Sequence, residues 1–314
     1  MTLPPITDAM RDDARESSAE HADIVQLCQD ASVEMTIHDA LKLQEVATLL
    51  PAASRVFISH LPRQSWQETV DAAVAVNKCG LTPVPHVPVR QIASARELDQ
   101  LLEQVASEAG VNHVLLIAGD RAQPAGPFAC SSDVLRTGVL EQHGITRVSM
   151  AAHPEGHPQL SSEVLRASEL EKIACAERAG LDAGFVTQFA FDSAPIVEWA
   201  SELRVRGVRN AIRIGLAGPA RLPTLLQYAL RCGIGPSIRA LTGHGAALGR
   251  LLGERGPEDV VRDLARARNE GLEIEGIHLF CFGGLLRTCR WIRDVAEGRF
   301  TLDEAHGFTV DEPA

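Results

Sequence analysis

The sequence predicts an α/β fold, a (β/α)8 TIM barrel with an N-terminal helical extension. Three observations predict it. Eight short apolar runs recur at roughly 20–35-residue intervals, with helical-looking stretches between them. Each run is continuous rather than alternating and is bounded by Gly, Pro or charged residues, which suits strands buried on both faces of a parallel sheet. The length, 314 residues, fits one such barrel with an extension.

Residues 1–12 read as a loose arm and 13–30 as a helix whose first half is mostly polar, so 1–30 forms an N-terminal arm and helix and 31–314 a single barrel domain. Strands are expected over 32–37, 55–60, 82–87, 113–119, 147–153, 183–189, 211–217 and 276–282. The helix over 66–78 places Trp66, Val70, Ala73 and Val74 on one face. Ser65 and Glu68 form a capping box at its start, and Gly80 is its stop. The helix over 94–109 repeats the device with Ser94 and Glu97 and ends at Gly110. Further helices are expected over 131–143, 161–180, 195–206, 256–271 and 283–298. The seventh unit is overlong: 217–276 leaves space for two or three helices and contains Gly243-His244-Gly245.

Hydrophobic residues make up 45% of the chain, enough for an ordinary core. A formal charge of −11 gives no general attraction to nucleic acid or to anionic membrane. The seven cysteines are odd in number and form no Cys-x-x-Cys, and residues 1–20 contain no apolar secretory core, so reduced thiols in a cytoplasmic protein are expected. No run reaches the length of a membrane span. The amphipathic outer helices suit a homodimer.

In a (β/α)8 barrel the chemistry gathers where the strands end. Those positions carry Glu34, His60, His86, Asp120, His153 and Gln188. Asp120, directly after a buried strand and Gly119, points into the mouth or caps the next helix. His153 and His157 sit in a loop fixed by Pro154 and Pro158, which argues against a helical metal-binding pair, so no metal is expected. Gln188, between apolar neighbours, either satisfies the structure or reads a heterocycle as donor and acceptor. Glu34, if it faces the interior, is raised by desolvation toward a protonated acid. His86 is framed by Pro85 and Pro88 and is equally readable as a core histidine. Gly283-Gly284 seats a phosphate at a helix start or makes a tight turn.

These pieces in this order resemble the methylenetetrahydrofolate reductase family. Ala151-Ala152-His153-Pro154-Glu155-Gly156-His157-Pro158 is similar to its A-A-[YH]-P-E-x-H-P, and Val186-Thr187-Gln188-Phe189-Ala190-Phe191-Asp192 to its I-T-Q-x-x-F-D. Leu116-Ile117-Ala118-Gly119-Asp120 is similar to L-R-G-D, Pro85-His86-Val87 to P-H-L, and Val33-Glu34 to F-E. The resemblance runs from about residue 32 to about 200. It implies a barrel holding FAD, which takes hydride from NAD(P)H (NADH or NADPH) and reduces 5,10-methylenetetrahydrofolate to 5-methyltetrahydrofolate. It further implies Glu34 as the acid that opens the methylene bridge, Asp120 beside the flavin and pterin, and Gln188 on the tetrahydrofolate substrate. His60, His86 and His153 would line FAD, and Arg166 or Lys172 would take its phosphate, because the family's lysine position falls on Ala176. The family's strand-two V-T-Y-G is replaced by Ile58-Ser59-His60-Leu61-Pro62, and its strand-eight H-F-Y-T-L-N-R by His278-Leu279-Phe280-Cys281-Phe282-Gly283-Gly284, which leaves Arg287 to supply a folate-binding arginine. Alternatives are a flavin-independent reductase, a folate- or pterin-dependent methyltransferase barrel, a metal-dependent hydrolase and a non-catalytic barrel.

Overall fold

The computed structural model describes residues 8–234, 254–304 and 307–311. Eight parallel strands close into a barrel: β1 (Ser32–Met35), β2 (Arg55–Ile58), β3 (Thr82–Pro88), β4 (His113–Ile117), β5 (Arg147–Ala152), β6 (Asp182–Thr187), β7 (Ala211–Ala217) and β8 (Gly276–Phe280). Each strand pairs with its neighbour in sequence, and β1 closes on β8 through Ser32 opposite His278 and Val33 opposite Leu279. The predicted barrel is therefore the observed one, with most strands ending one or two residues earlier than the apolar runs.

The helices are α1 (Asp8–Gln29), α2 (Leu43–Leu49), α3 (Trp66–Lys78), α4 (Ala95–Ala109), α5 (Ser131–Leu135), α6 (Val139–Gln142), α7 (Ser162–Arg178), α8 (Ser193–Val205), α9 (Leu222–Cys232), α10 (Glu258–Asn269) and α11 (Leu285–Ala296). Apolar side chains at three- and four-residue spacing bury one face of each main helix, as Leu98, Leu101, Leu102 and Val105 do in α4. The Ser65–Glu68 capping box forms in full. At α4 only half of it does: Ser94 accepts from the Glu97 amide, but the Glu97 carboxylate reaches back to the Ala93 amide instead. The single helix expected over 131–143 is two short helices, because Gly138 adopts a left-handed conformation (φ 75°) between them. Three features carried too weak a signal to be expected: α2, a two-stranded pairing of Ala220–Arg221 with Glu254–Arg255, and a hairpin of Phe300–Leu302 with Phe308–Val310. Gly243-His244-Gly245 lies outside the described residues. No helix among the described residues is long and apolar enough to cross a membrane.

The barrel interior is polar at its lower end. Arg213, 2% exposed, donates to the carbonyls of Asp30 (2.6 Å) and Ile277 (3.0 Å). Glu275 accepts from Arg55 at 2.9 Å and Arg147 at 2.8 Å and lies 3.4 Å from Arg213. Burial raises the Glu275 carboxyl, but the three guanidiniums outweigh it and hold it down at about 2. A carboxylate depressed from 4.5 contributes stability that is complete above 4.5 and disappears as pH falls toward 2, here on the order of 3 kcal/mol. Glu275→Gln is expected to lower the unfolding free energy at pH 7 by about 2–3 kcal/mol, since it strands buried charge. The deficit should shrink as both proteins are acidified. Equal urea midpoints for the two proteins at pH 7 would contradict this account of the network.

Candidate active site

The upper end of the barrel opens into a cavity of ≈470 Å³. Glu34, the third residue of β1, faces the cavity between Val33 and Met35, which are both buried in the core. The Ser59 hydroxyl donates to Glu34 Oε1 at 2.6 Å. His86 Nε2 and His278 Nε2 stand 3.7 Å and 3.6 Å from Glu34 Oε2. Both ring nitrogens are buried, and neither makes a hydrogen bond. The far nitrogen of His278, Nδ1, lies 3.0 Å from the Ser32 hydroxyl, which orients the ring. One carboxylate and two imidazoles thus face one another across less than 4 Å.

Burial raises Glu34, as the sequence suggests, but His86, His278 and the Ser59 hydroxyl together overcome it, and the carboxyl lies below its ordinary value. The expectation of an acid kept protonated by desolvation alone is therefore corrected. Burial holds His86 and His278 below the ordinary imidazole range. Protons in this site belong to the cluster rather than to Glu34 by itself.

Gln188 follows β6 at the rim of the same cavity. Its Oε1 accepts from the Phe189 amide at 3.1 Å, which fixes the side chain and turns its NH2 group into a donor for a ligand. His153, after β5, also lines the cavity; its ring meets His157 edge to face at 5.2 Å, and burial brings it down to about 4. The opposite wall is aromatic. Tyr228 and Phe282 stack at 4.0 Å, and Phe189 meets Phe282 at 4.7 Å and Phe280 at 5.4 Å. Such a wall suits a flat heterocycle. Arg231, one turn beyond Tyr228 on α9, brings an exposed cation to the rim.

The structure places the remaining candidates elsewhere. His60 turns away from the mouth, stacks on Trp66 at 3.8 Å and meets Thr69 Oγ1 at 2.8 Å through Nδ1. Asp120 is exposed beyond β4 and does not line the cavity, but it stands close enough to the mouth for its charge to act on Cys232, which does. Arg166 pairs with Glu202 at 2.8 Å and lies 3.7 Å from Glu169. Lys172 donates to the Ala151 carbonyl at 2.8 Å and lies over the Phe185 ring. Arg287 is exposed and paired with Glu254 at 2.7 Å. A Cβ on Gly283 would fall 1.9 Å from the Pro219 carbonyl oxygen, so this glycine is required for a close turn.

A resident FAD needs cations or amide N–H groups aimed at its pyrophosphate to hold it through turnover, whereas a nicotinamide that exchanges in every cycle can leave its own pyrophosphate in solvent. The expected cations, Arg166 and Lys172, have protein partners and do not line the mouth. Ala118 stands at the arginine position of L-R-G-D. Of the six residues expected around FAD, only His86 and His153 line the cavity. The described residues therefore do not fit FAD. Nor do they include a group of three or more His, Cys, Asp or Glu positioned to hold a metal ion.

Sequence reasoning missed Ser59, His278, the aromatic wall and Arg231. A histidine inside the otherwise apolar run Gly276-Ile277-His278-Leu279-Phe280 was the available signal for His278. Tyr228 and Arg231 lie in the long insert, where no periodicity relates them to a strand end.

Removing either ring should let burial dominate at Glu34. In carboxyl-¹³C NMR titrations, His278→Asn and His86→Asn are each expected to move the Glu34 midpoint upward. A midpoint unchanged in both variants would show that the imidazoles do not govern the carboxylate.

A family model described as methylenetetrahydrofolate reductase matches residues 51–217. A 5,10-methylenetetrahydrofolate reductase of Pectobacterium carotovorum subsp. carotovorum is 28% identical over 155 residues, covering 48% of this chain and 49% of that protein. The chain thus spans about half the length of this curated relative. Among solved structures, an uncharacterized protein from Clostridium thermocellum, described as binding two copies of 5-methyl-5,6,7,8-tetrahydrofolic acid, aligns with a TM-score of 0.54 at 13% identity, covering 85% of this chain and 93% of that one. At that identity the likeness is one of fold.

Proposed function

The chain belongs to the methylenetetrahydrofolate reductase family, and on that premise we propose that it reduces 5,10-methylenetetrahydrofolate to 5-methyltetrahydrofolate with hydride from NADH or NADPH. The observation that carries this reading is the arrangement of the mouth. A coupled cluster of Glu34, His86 and His278 shares a cavity with a fixed amide, Gln188, and an aromatic wall.

The methylene carbon bridges N5 and N10 of the folate. A proton delivered to N10 lets the N10–carbon bond break and leaves an N5 iminium. Hydride addition to the exocyclic carbon then completes the methyl group. One proton and one hydride are consumed, and the nicotinamide leaves oxidised. Glu34, ionised beside two neutral rings in the open site, takes up a proton as the pterin covers it and hands it to N10, with His86 and His278 beside it to share that proton. The Gln188 amide orients the pterin, while Phe282 and Tyr228 cover its face. In the family FAD supplies a hydride relay, a group that the described residues of this chain do not fit.

Anaerobic turnover with methylenetetrahydrofolate and NADH or NADPH tests the reading, with methyl product as the readout. Glu34→Gln is expected to reduce product formation by about 10²–10⁴-fold while folate affinity by calorimetry stays near that of the parent. A Glu34→Gln protein of undiminished rate would remove Glu34 from the chemistry. A parent chain that makes no methyl product under any condition would remove the reductase assignment.

A further inference from the structure

We propose that this chain transfers hydride directly from a reduced nicotinamide to the folate iminium, with no flavin between them. The inference rests on the reductase reading above and concerns the route that the hydride takes.

Its basis is where the described structure puts the groups that the family resemblance assigns to a flavin dinucleotide. Lys172 Nζ donates to the Ala151 carbonyl at 2.8 Å and lies 5.7 Å from the centre of the Phe185 ring, beneath β5 and β6 rather than in the mouth. Arg166 is held between Glu202 and Glu169 on the outer face of the barrel. The His60 ring stacks on Trp66 behind the end of β2. Asp120, the charge expected beside the isoalloxazine, stays at the exposed edge of the mouth, within electrostatic reach of Cys232, and so does not by itself argue against a flavin. Ala118 has no side chain to offer a phosphate. Opening these positions to a pyrophosphate would break the Arg166–Glu202 pair and the Lys172–Ala151 bond together.

What remains suits two flat rings in one space. Glu34 and Gln188 line the same cavity, whose ≈470 Å³ lies in the range that encloses a drug-sized set of rings, so the nicotinamide and pterin heads share it while both tails leave through the rim. The Phe189–Phe280–Phe282–Tyr228 wall offers apolar ring faces, and Arg231 on the rim gives an anionic tail one cation. A nicotinamide against a pterin in this space places its C4 hydride donor beside the exocyclic carbon. The balance is complete: the C4–H bond breaks with its electron pair, a C–H bond forms at the methylene carbon, the nicotinamide becomes the oxidised cation, and the proton that broke the N10–carbon bond came from the Glu34 cluster.

The test uses the full chain, freed of any carried flavin by anaerobic chromatography in chaotropic salt and checked by visible spectrum. It is assayed with methylenetetrahydrofolate and NADH or NADPH deuterated in turn at each face of C4. Mass spectrometry then reads the methyl group of the product. Direct transfer predicts turnover in the flavin-free protein, within about twofold of the rate with added FAD. It also predicts essentially complete deuterium retention from one face of C4. A flavin relay exposes the carried hydrogen to exchange with water and dilutes the label. Turnover that appears only after FAD or FMN is added, with diluted label, would overturn direct transfer and leave the reductase reading standing. Absence of methyl product with and without either flavin would overturn both. Lys172→Met separates the arms further: direct transfer predicts unchanged label retention, whereas restored flavin dependence of the label in the parent but not in this variant would reassign Lys172 to a flavin phosphate.

Discussion

An arginine inside a closed barrel must find acceptors, and much of this molecule is arranged around that requirement. Arg213 enters the interior from β7 and bonds the carbonyls of Asp30 and Ile277, tying the segment before β1 to β8 where the barrel closes. Glu275 answers Arg213 together with Arg55 and Arg147, so strands two, five and seven converge on one carboxylate just before strand eight. Buried ion pairs do not in themselves stabilise more than apolar packing does. This one draws three strands to a shared partner at the foot of the fourth, and breaking it would leave guanidiniums stranded in a dry interior.

The same interior continues upward as a column of polar side chains around one phenyl ring. Phe57 meets His278 at 4.7 Å, His113 at 5.8 Å and His86 at 6.2 Å. His113 is satisfied by Ser149 at 2.9 Å, and burial and the neighbouring arginines bring it down to about 3. His86 and His278 are different: their Nε2 atoms are left without hydrogen bonds and point toward Glu34. Buried polar atoms are usually paired, so two unpaired ring nitrogens at one carboxylate mark the place where the barrel gives up packing for chemistry. Positive charge at the base also disfavours protonation of His278, since Arg213 lies within electrostatic reach. Structural and chemical ends of the barrel are therefore coupled through its interior.

The amino-acid sequence by itself determined the barrel. Eight continuous apolar runs and capping signals such as Ser65 with Glu68 are local properties, and they decide which segments become strands and where helices begin. It also determined which strand ends carry Glu34, His86, His153 and Gln188, because the strand-to-mouth direction follows from the topology alone. Only the tertiary structure decided which candidates share the mouth. His60, Arg166 and Lys172 are as polar in sequence as the residues that line it, but Trp66, Glu202 and the Ala151 carbonyl claim them. It likewise decided the sign at Glu34, where two imidazoles from β3 and β8 oppose the effect of burial. The physical reason is one of range. Strand and helix formation depend on neighbours along the chain, and Trp66 claims His60 almost as locally, whereas Glu202, the Ala151 carbonyl and His278 come to Arg166, Lys172 and Glu34 from other elements, at distances that exist only after the barrel has closed.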